Sequence, residues 1–327
     1  MDEHLKDTLQ RVALFIGGIL FSFLIAEGIF RVCIHFDIIR YPNQAVLSNM
    51  LHQYSKIKGL IYELKPSSSA EYDGLWYKTN QHGMRSRECS LIKPPGVKRI
   101  CVLGDSVAFG YRLPYMEQTF AYLLEDKLNS NKFKTSRYEV LNFGVTSYNA
   151  YQEELTLKKK VIGFSADLVL AGVTPNDDYY SEGDNALCRE MSPFSLGSRL
   201  HSKLVSYLLN SLDLWLHHKH RNKDKIDHYF AQLALLSKEK HFKVLIVAIP
   251  YYFDDLNTYV EKQMHDYYHV ISEKYGFNLI DFMELFQGLD LRERKTLFLS
   301  DDTYHLSPDG MKKVAEELFE YFLVNPI

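Results

Sequence analysis

Four short polar clusters in this chain hold residue types that can perform nucleophilic catalysis. They contain Gly104, Asp105 and Ser106; Phe143 and Gly144; residues 172–177; and residues 301–305. A serine hydroxyl becomes an effective nucleophile when a neighbouring base removes its proton. Neutral imidazole can accept that proton near pH 7 and return it to a leaving group. We therefore expect Ser106 to be the nucleophile and His305 its base.

A carboxylate beside the base would complete a catalytic triad. Asp302, three residues before His305, can hold the imidazole in the required tautomer and stabilise the imidazolium. Asp301 is the alternative. The three-residue spacing lets one turn bring carboxylate and imidazole together, which favours Asp302.

Acyl transfer also needs donors for the negative charge of the tetrahedral intermediate. The backbone amides of Ser106 and Gly144 and the side-chain amide of Asn176 are suitable types. Helix N-termini favour developing negative charge, and Ser106 stands where a strand gives way to a helix. These three residues form the predicted oxyanion hole.

Three residues near these clusters are candidate substrate contacts, namely Asp105, Tyr179 and Tyr251. Aromatic faces can stack on sugar rings or line an acyl pocket. Ordinary packing against neighbouring segments of the chain explains the two tyrosines equally well.

Short apolar runs alternate with longer amphipathic runs beyond residue 98, which predicts βαβ units around a mostly parallel sheet. The predicted strands are residues 99–103, 138–142, 167–171, 243–249 and 278–281. Ligands bind open parallel sheets at the carboxyl ends of the strands. Three of the clusters directly follow such strands, so we expect the clusters to meet at one edge.

The clusters also resemble the blocks of the SGNH (GDSL-like) serine hydrolase family. The matching segments are GDSVAFG at 104–110, NFGVTSYNA at 142–150, GVTPND at 172–177 and DTYHLSPDG at 302–310. The resemblance covers about residues 98–323 and has all four blocks in order. It implies a flavodoxin-like three-layer α/β/α domain, and esterase, lipase or carbohydrate O-deacetylase chemistry without a metal or other cofactor.

Two positions depart from the family pattern. Val173, Thr174 and Pro175 separate Gly172 from Asn176, where the family usually has one residue, so the placement of the Asn176 amide is open. Val107 follows the nucleophile in place of a small or polar residue and alters the local pocket.

The stretch 12–30 is apolar, and its only charge is Glu27. At about 1.5 Å per residue it nearly crosses a hydrocarbon core of about 30 Å. A core helix or a cleaved signal peptide is the alternative, but no Ala-x-Ala-like site follows. We expect a tail at 1–11, an uncleaved transmembrane anchor at 12–36 with Glu27 near the interface or pairing with another helix, and a periplasmic or extracellular catalytic domain.

The composition argues against some classes of binding partner. The net charge of −3 offers no basic field for phosphate backbones, so we expect no nucleic acid partner. The four cysteines lack the spacing of zinc or redox sites, although a Cys89–Cys188 bridge stays open. His217, His218 and His220 indicate a solvated helix end rather than a metal site.

Two segments lie outside this pattern. Residues 37–97 are predicted to be an appended segment and linker before the hydrolase domain at 98–327. Their polar cluster is either a solvated turn that packs against that domain or a rim of the substrate site, and comprises Asn80, His82, Gly83, Arg85 and Arg87. The insertion at about 178–240, with predicted helices at 200–217 and 226–236, is either a cap over the site or extra scaffold.

These observations predict a serine esterase that removes an O-acetyl or other O-acyl group through an acyl-enzyme on Ser106. Proximity to a membrane and aromatic residues near the site favour an O-acylated glycan or lipid-linked substrate. One alternative is an O-acyltransferase that modifies a cell-surface glycan beside a membrane acyltransferase partner. Another is a non-catalytic glycan-binding protein on the same scaffold.

Overall fold

A long N-terminal helix, α1 (Glu3–His35), begins the chain in the computed structural model. Its segment Leu5–Cys33 has a mean hydropathy of 2.2, and the most apolar part of it is exposed. It has the length and composition of either a membrane anchor or a signal sequence. The structure describes residues 3–36, 51–60, 62–72, 74–130, 136–175, 177, 202, 204–205, 208, 223–259 and 261–327.

A five-stranded parallel sheet forms the centre of the molecule. Its strands are β5 (Val97–Leu103), β6 (Arg137–Asn142), β7 (Leu168–Val173), β8 (Lys243–Ala248) and β9 (Asn278–Asp281). They lie in the order β6-β5-β7-β8-β9. This order is flavodoxin-like, and its topological switch point lies between β5 and β7. All five predicted strands are confirmed.

Helices cover both faces of the sheet. Successive side chains of a strand point to opposite faces, so Ile100 and Val102 enter one core while Cys101 and Leu103 enter the other. The first core contains α3 (Phe120–Ser130), α7 (Phe282–Gln287) and α9 (Pro308–Val324). The second contains α4 (Ala150–Lys159), α5 (Lys223–Lys240) and α6 (Lys262–Tyr275). The predicted three-layer α/β/α class is confirmed.

Two small hairpins precede the sheet. They pair β1 (His52–Tyr54) with β2 (Tyr62–Leu64), and β3 (Ser69–Tyr72) with β4 (Leu75–Lys78). Their apolar side chains share a core with Phe109, Val145 and Tyr148. The Tyr62 hydroxyl donates to the Thr146 carbonyl at 2.7 Å. The hairpins therefore pack on the loops that follow β5 and β6.

Shorter elements carry the candidate site residues or lie near the C-terminus. They are α2 (Ser106–Phe109), α8 (Leu291–Thr296), and the antiparallel pair β10 (Phe298–Leu299) and β11 (Asp302–Leu306). Asp290 and Ser307 begin α8 and α9 as N-caps, with side chains that accept backbone N–H groups.

The insertion is described only in part. The predicted helix at 226–236 lies within α5, whereas most of the one at 200–217 and His217, His218 and His220 lie outside the described residues. Cys89 carries a free, buried thiol, and Cys188 also lies outside.

Glu27 connects α1 to the insertion. Its carboxylate accepts hydrogen bonds from Arg31 Nε at 2.7 Å, Ser202 Oγ at 2.8 Å and the Leu204 amide at 3.0 Å. These hydrogen bonds compensate the burial of the Glu27 carboxylate on a helix whose other surface is mostly apolar and exposed.

Candidate active site

Ser106 lies at the carboxyl end of β5, at the switch point of the sheet. It is the first residue of α2, so its N–H belongs to the helix donors that have no intrahelical partner. Gly104 makes the turn possible, since it has φ +155° and a Cβ there would lie 2.7 Å from Ala108 Cβ. The turn leaves the hydroxyl of Ser106 at the edge of the sheet.

His305 and Asp302 reach Ser106 from β11. Nε2 of His305 lies 2.8 Å from Ser106 Oγ, and Nδ1 lies 2.7 Å from Asp302 Oδ2. An ionised carboxylate only accepts hydrogen bonds, so Nδ1 carries the proton and the Nε2 lone pair faces the hydroxyl. The structure thus brings all three predicted triad residues into one hydrogen-bonded series.

Burial and neighbouring charge act in opposite directions on Asp302. Partial burial raises its pKa, but the hydrogen bond from His305, together with the Tyr304 amide and the charge of Arg112, outweighs burial and holds the pKa below the ordinary value of 3.8. The Tyr304 amide adds a hydrogen bond to Oδ1 at 2.8 Å. The carboxylate is therefore ionised at neutral pH and suited to stabilise an imidazolium.

Asp301, the alternative carboxylate, points away from the imidazole and accepts a hydrogen bond from Arg112 Nη2 at 3.0 Å. This hydrogen bond holds the pKa of the exposed Asp301 below its ordinary value. Next to Arg112, the ring of Tyr111 lies 4.6 Å from the ring of His305. Tyr111 and Arg112 thus contact the base and its loop, although sequence reasoning missed both. Their adjacency to the GDSVAFG block was the available signal.

Asp105 has a different position from the substrate contact predicted for it. It is 3% exposed, and its Oδ1 accepts the Val107 amide at 2.8 Å. Its Oδ2 accepts the Thr174 hydroxyl at 3.0 Å. Thr174 is held in turn by Asp177, whose Oδ2 accepts the Thr174 amide at 2.7 Å. Asp105 is a helix cap tied to the third block, because an N-cap carboxylate must face the helix amides.

Of the predicted oxyanion donors, Ser106 is at the N-terminus of α2, whereas the amide of Gly144 has a partner within the protein. The Gly144 amide donates to Asn142 Oδ1 at 2.9 Å, and Asn142 Nδ2 donates to the Ala108 carbonyl at 2.6 Å. Asn142 therefore joins the glycine block to the nucleophile helix. Asn176 lies outside the described residues.

An aromatic pair stands beside the triad. The rings of Tyr251 and Tyr304 meet edge to face at 4.8 Å, and Tyr304 is 56% exposed. The Tyr252 amide donates to the Thr303 carbonyl at 2.8 Å, which joins the loop after β8 to β11. Tyr251 therefore packs on Tyr304, the residue before the base, whereas Tyr179 is outside the described residues.

The polar cluster upstream of the sheet packs against the chain after β5 through Arg85, as the first of its two predictions has it, but it is solvated only in part. Asn80 and Arg85 are buried at 3% and 1% exposure, so neither belongs to a solvated turn or an open rim. Asn80 Oδ1 accepts the amides of His82 and Met84, which folds the segment back on itself.

The arrangement has the parts of an acyl-transfer site: a hydroxyl, a base oriented by a carboxylate, and a helix N-terminus beside the hydroxyl. Within the described part of the chain, no three His, Cys, Asp or Glu side chains form a group that could hold a metal ion. The contacts of Ser106 with His305, and of His305 with Asp302, support nucleophilic attack by Ser106.

Comparisons with known proteins agree with this geometry. A family model described as GDSL-like Lipase/Acylhydrolase matches residues 100–318. No curated protein sequence matches the chain significantly. Similar solved structures include the psychrotrophic esterase EstA from Pseudoalteromonas sp., with 16% identity, a TM-score of 0.47, and coverage of 70% of this chain and 99% of that one.

Two further similar structures have comparable values. The lipase/acylhydrolase from Enterococcus faecalis has 14% identity and a TM-score of 0.46, covering 69% of this chain and 95% of that one. A catalytic mutant of an acetylxylan esterase from Geobacillus stearothermophilus has 15% identity and a TM-score of 0.47, covering 68% and 93%. Identities this low transfer no substrate to this chain.

Proposed function

The chain belongs to the GDSL-like lipase/acylhydrolase family, and on that premise we propose that it is a serine esterase acting through an acyl-enzyme on Ser106. The observation that carries the proposal is the 2.8 Å contact between Ser106 Oγ and His305 Nε2, with Asp302 on the other ring nitrogen. A serine hydroxyl is a weak nucleophile by itself, and a hydrogen bond to an imidazole base activates it.

The reaction follows from this contact. Ser106 Oγ attacks the ester carbonyl while His305 takes its proton, and helix amides receive the negative charge of the tetrahedral intermediate. Collapse of the intermediate breaks the bond to the alcohol, which leaves with the proton from His305. Water then attacks the acyl-enzyme with His305 as base, and the acid is released.

We assign the ester to an O-acylated glycan or a lipid-linked substrate. The exposed ring of Tyr304, the residue before the base, and its partner Tyr251 offer aromatic surface that suits a sugar ring. The apolar helix α1 places the catalytic domain near a membrane if it is retained as an anchor. We place that domain on the periplasmic or extracellular side.

Labelling with a fluorophosphonate probe tests the nucleophile. The full chain should label and should hydrolyse p-nitrophenyl acetate. Ser106→Ala should lose labelling completely, His305→Ala should lose most of it, and Ser130→Ala, an exposed serine at the end of α3, should label like the unmodified chain. Normal glycan binding without labelling of Ser106 would instead support a non-catalytic binding protein.

Transfer to a sugar hydroxyl uses the same three residues, so the acceptor decides between an esterase and an O-acyltransferase working with a membrane acyl donor. The acyl-enzyme can be formed from p-nitrophenyl acetate and partitioned with and without a glycan acceptor. Release of acetate at the same rate in both supports the esterase. Acetylated glycan as the main product would replace it with the acyltransferase.

The anchor is tested by membrane extraction of the full chain carrying a tag before residue 1. Retention of the tag in an alkali-resistant membrane fraction supports an uncleaved anchor. Loss of the tag from the mature protein would make α1 a signal sequence.

A further inference from the structure

Arg85, in the segment between β4 and β5, binds the backbone that follows the nucleophile helix. Its Nη1 donates to the carbonyls of Phe109 at 3.0 Å and Gly110 at 2.7 Å, and its Nη2 donates to the carbonyl of Leu113. The last carbonyls of a helix lack intrahelical donors, and the guanidinium fork supplies several N–H groups in fixed geometry. Arg85 therefore binds three carbonyls of one short loop, residues 109–113.

The burial of Arg85 is unusual for a cation. It is 1% exposed, and within the described part of the chain no carboxylate lies at ion-pair distance from it. Burial lowers its pKa to about 10, while Tyr77 and Glu117 act in the opposite direction, so it stays charged at neutral pH. Carbonyl oxygens and aromatic faces replace the water that the charge has lost.

Tyr77 on β4 binds the same loop. Its hydroxyl accepts the Arg112 amide at 3.0 Å, and the Arg85 guanidinium lies 4.8 Å from its ring centroid. Arg112 has φ 61°, a left-handed conformation that a residue with a side chain seldom adopts. The loop therefore holds a strained shape through contacts from the upstream segment.

That shape aligns the loop with the acid-base residues. Tyr111 packs on the His305 ring with centroids 4.6 Å apart, and Arg112 donates to Asp301 at 3.0 Å. The base can keep its 2.8 Å contact with Ser106 only while its loop is held in place.

We propose that Arg85 is a positioning residue for the reaction at Ser106: it fixes the 109–113 loop so that Tyr111 and Arg112 hold the His305 loop in register with the nucleophile. The upstream segment is then a part of the catalytic unit rather than a linker. The inference rests on the proposed esterase function, because it assigns Arg85 a role in that reaction.

Substitution of Arg85 by Met and by Lys tests the role. Met keeps the length and loses every donor, whereas Lys keeps the charge and some hydrogen bonding. We expect Arg85→Met to lower kcat for p-nitrophenyl acetate about 10- to 100-fold with little change in KM, since misplacement by about 1 Å has such an effect. Arg85→Lys should recover part of the loss.

Arg87→Met is the matched control. Arg87 lies two residues away, pairs with Glu125 and packs over the Tyr122 ring, away from the 109–113 loop. Its kcat should stay within about twofold of the unmodified chain, because a partly exposed ion pair contributes little. Equal losses of kcat in Arg87→Met and Arg85→Met would overturn the proposal.

Tyr77→Phe provides a second test of the same loop if Arg85→Met does not fold. It removes only the oxygen that accepts the Arg112 amide, and it should lower kcat in the same direction with unchanged melting temperature. Unchanged kcat in Tyr77→Phe and in every folded Arg85 variant would also overturn the proposal.

A readout independent of turnover separates this inference from the proposed function. Hydrogen bonding to Asp302 should give the His305 ring N–H a low-field NMR resonance, and Arg85→Met should broaden or shift it while Arg87→Met should not. If the resonance responds in this way but the unmodified chain has no esterase activity, the esterase function is refuted and the positioning of His305 by Arg85 is supported. If the unmodified chain is active, but neither the resonance nor kcat changes in Arg85→Met, the esterase function stands and the positioning role of Arg85 is refuted.

Discussion

The Asp302 carboxylate lies 2.7 Å from Nδ1 of His305 through Oδ2, whereas the adjacent Asp301 carboxylate turns outward to Arg112. Two neighbouring acids thus have different tasks. Asp302→Asn should lower kcat about 10⁴-fold, because an amide favours the wrong imidazole tautomer. Asp301→Asn should change kcat less than about threefold, because its amide oxygen can still accept the Arg112 hydrogen bond and only the charge of an exposed pair is lost. Steady-state kinetics on both variants tests this prediction. A larger loss of kcat in Asp301→Asn than in Asp302→Asn would make Asp301 the carboxylate of the triad.

Gly144 has no room for a side chain. A Cβ there would lie 2.5 Å from the Phe109 nitrogen and 2.8 Å from the Ala108 carbonyl carbon. Gly144→Ala should therefore displace the nucleophile helix and lower kcat on the order of 10²-fold, as when an oxyanion donor is misplaced. Gly163→Ala is the control, because its nearest atom is 3.8 Å away. Kinetics together with melting curves check the pair; full activity in Gly144→Ala contradicts the prediction.

Glu153 is buried beneath the site, and the Tyr229 hydroxyl lies beside it without hydrogen-bonding geometry. Burial raises the pKa of Glu153 to about 8, and the charge of Asp105 adds to the rise. The unfolded chain loses this proton near its ordinary pKa of 4.5 while the folded chain retains it. The free energy of unfolding should therefore fall as the pH rises from about 4.5 to about 8.

Glu153→Gln should flatten this fall, so the variant gains stability relative to the unmodified chain at pH 8 but not at pH 5. Urea denaturation across that range measures the difference. Glu273→Gln, on the exposed face of α6, should leave the slope unchanged. A slope that survives Glu153→Gln would show that other groups cause it.

Arg99 on β5 and Glu139 on β6 form a buried ion pair across neighbouring strands. Arg99 is fully buried and contacts Glu139 Oε2 at 2.6 Å. Arg99→Met should lower the free energy of unfolding by about 3–5 kcal/mol, because it leaves Glu139 buried and unpaired. The double variant with Glu139→Leu should recover only part, since Arg99 also binds the carbonyls of Ser90, Leu91 and Phe164.

Chemical denaturation of the single and double variants checks the ion pair. A loss below about 1 kcal/mol in Arg99→Met would mean that water reaches Glu139 and compensates its charge.

Much of the fold follows from local sequence. The strands β5 to β9 were predicted because short apolar runs between amphipathic ones indicate a buried parallel sheet. The pairing of Ser106 with His305, 199 residues later, was predicted from residue type, because a serine nucleophile needs a base and β11 lies outside the parallel sheet. The binding partners of Asp105 and Arg85 were not predicted, since a carboxylate or guanidinium can bind water, substrate or backbone groups in the same local sequence pattern.

The sequence by itself determined the layers of the domain and the identity of the reacting side chains, because periodicity and short motifs are properties of neighbouring residues. Only the tertiary structure decided that Arg85 binds carbonyls 24 to 28 residues away and that Asp105 caps a helix instead of facing the substrate. The physical reason is that a buried polar group takes whichever partners the packed chain brings within hydrogen-bond distance, and those partners come from distant segments.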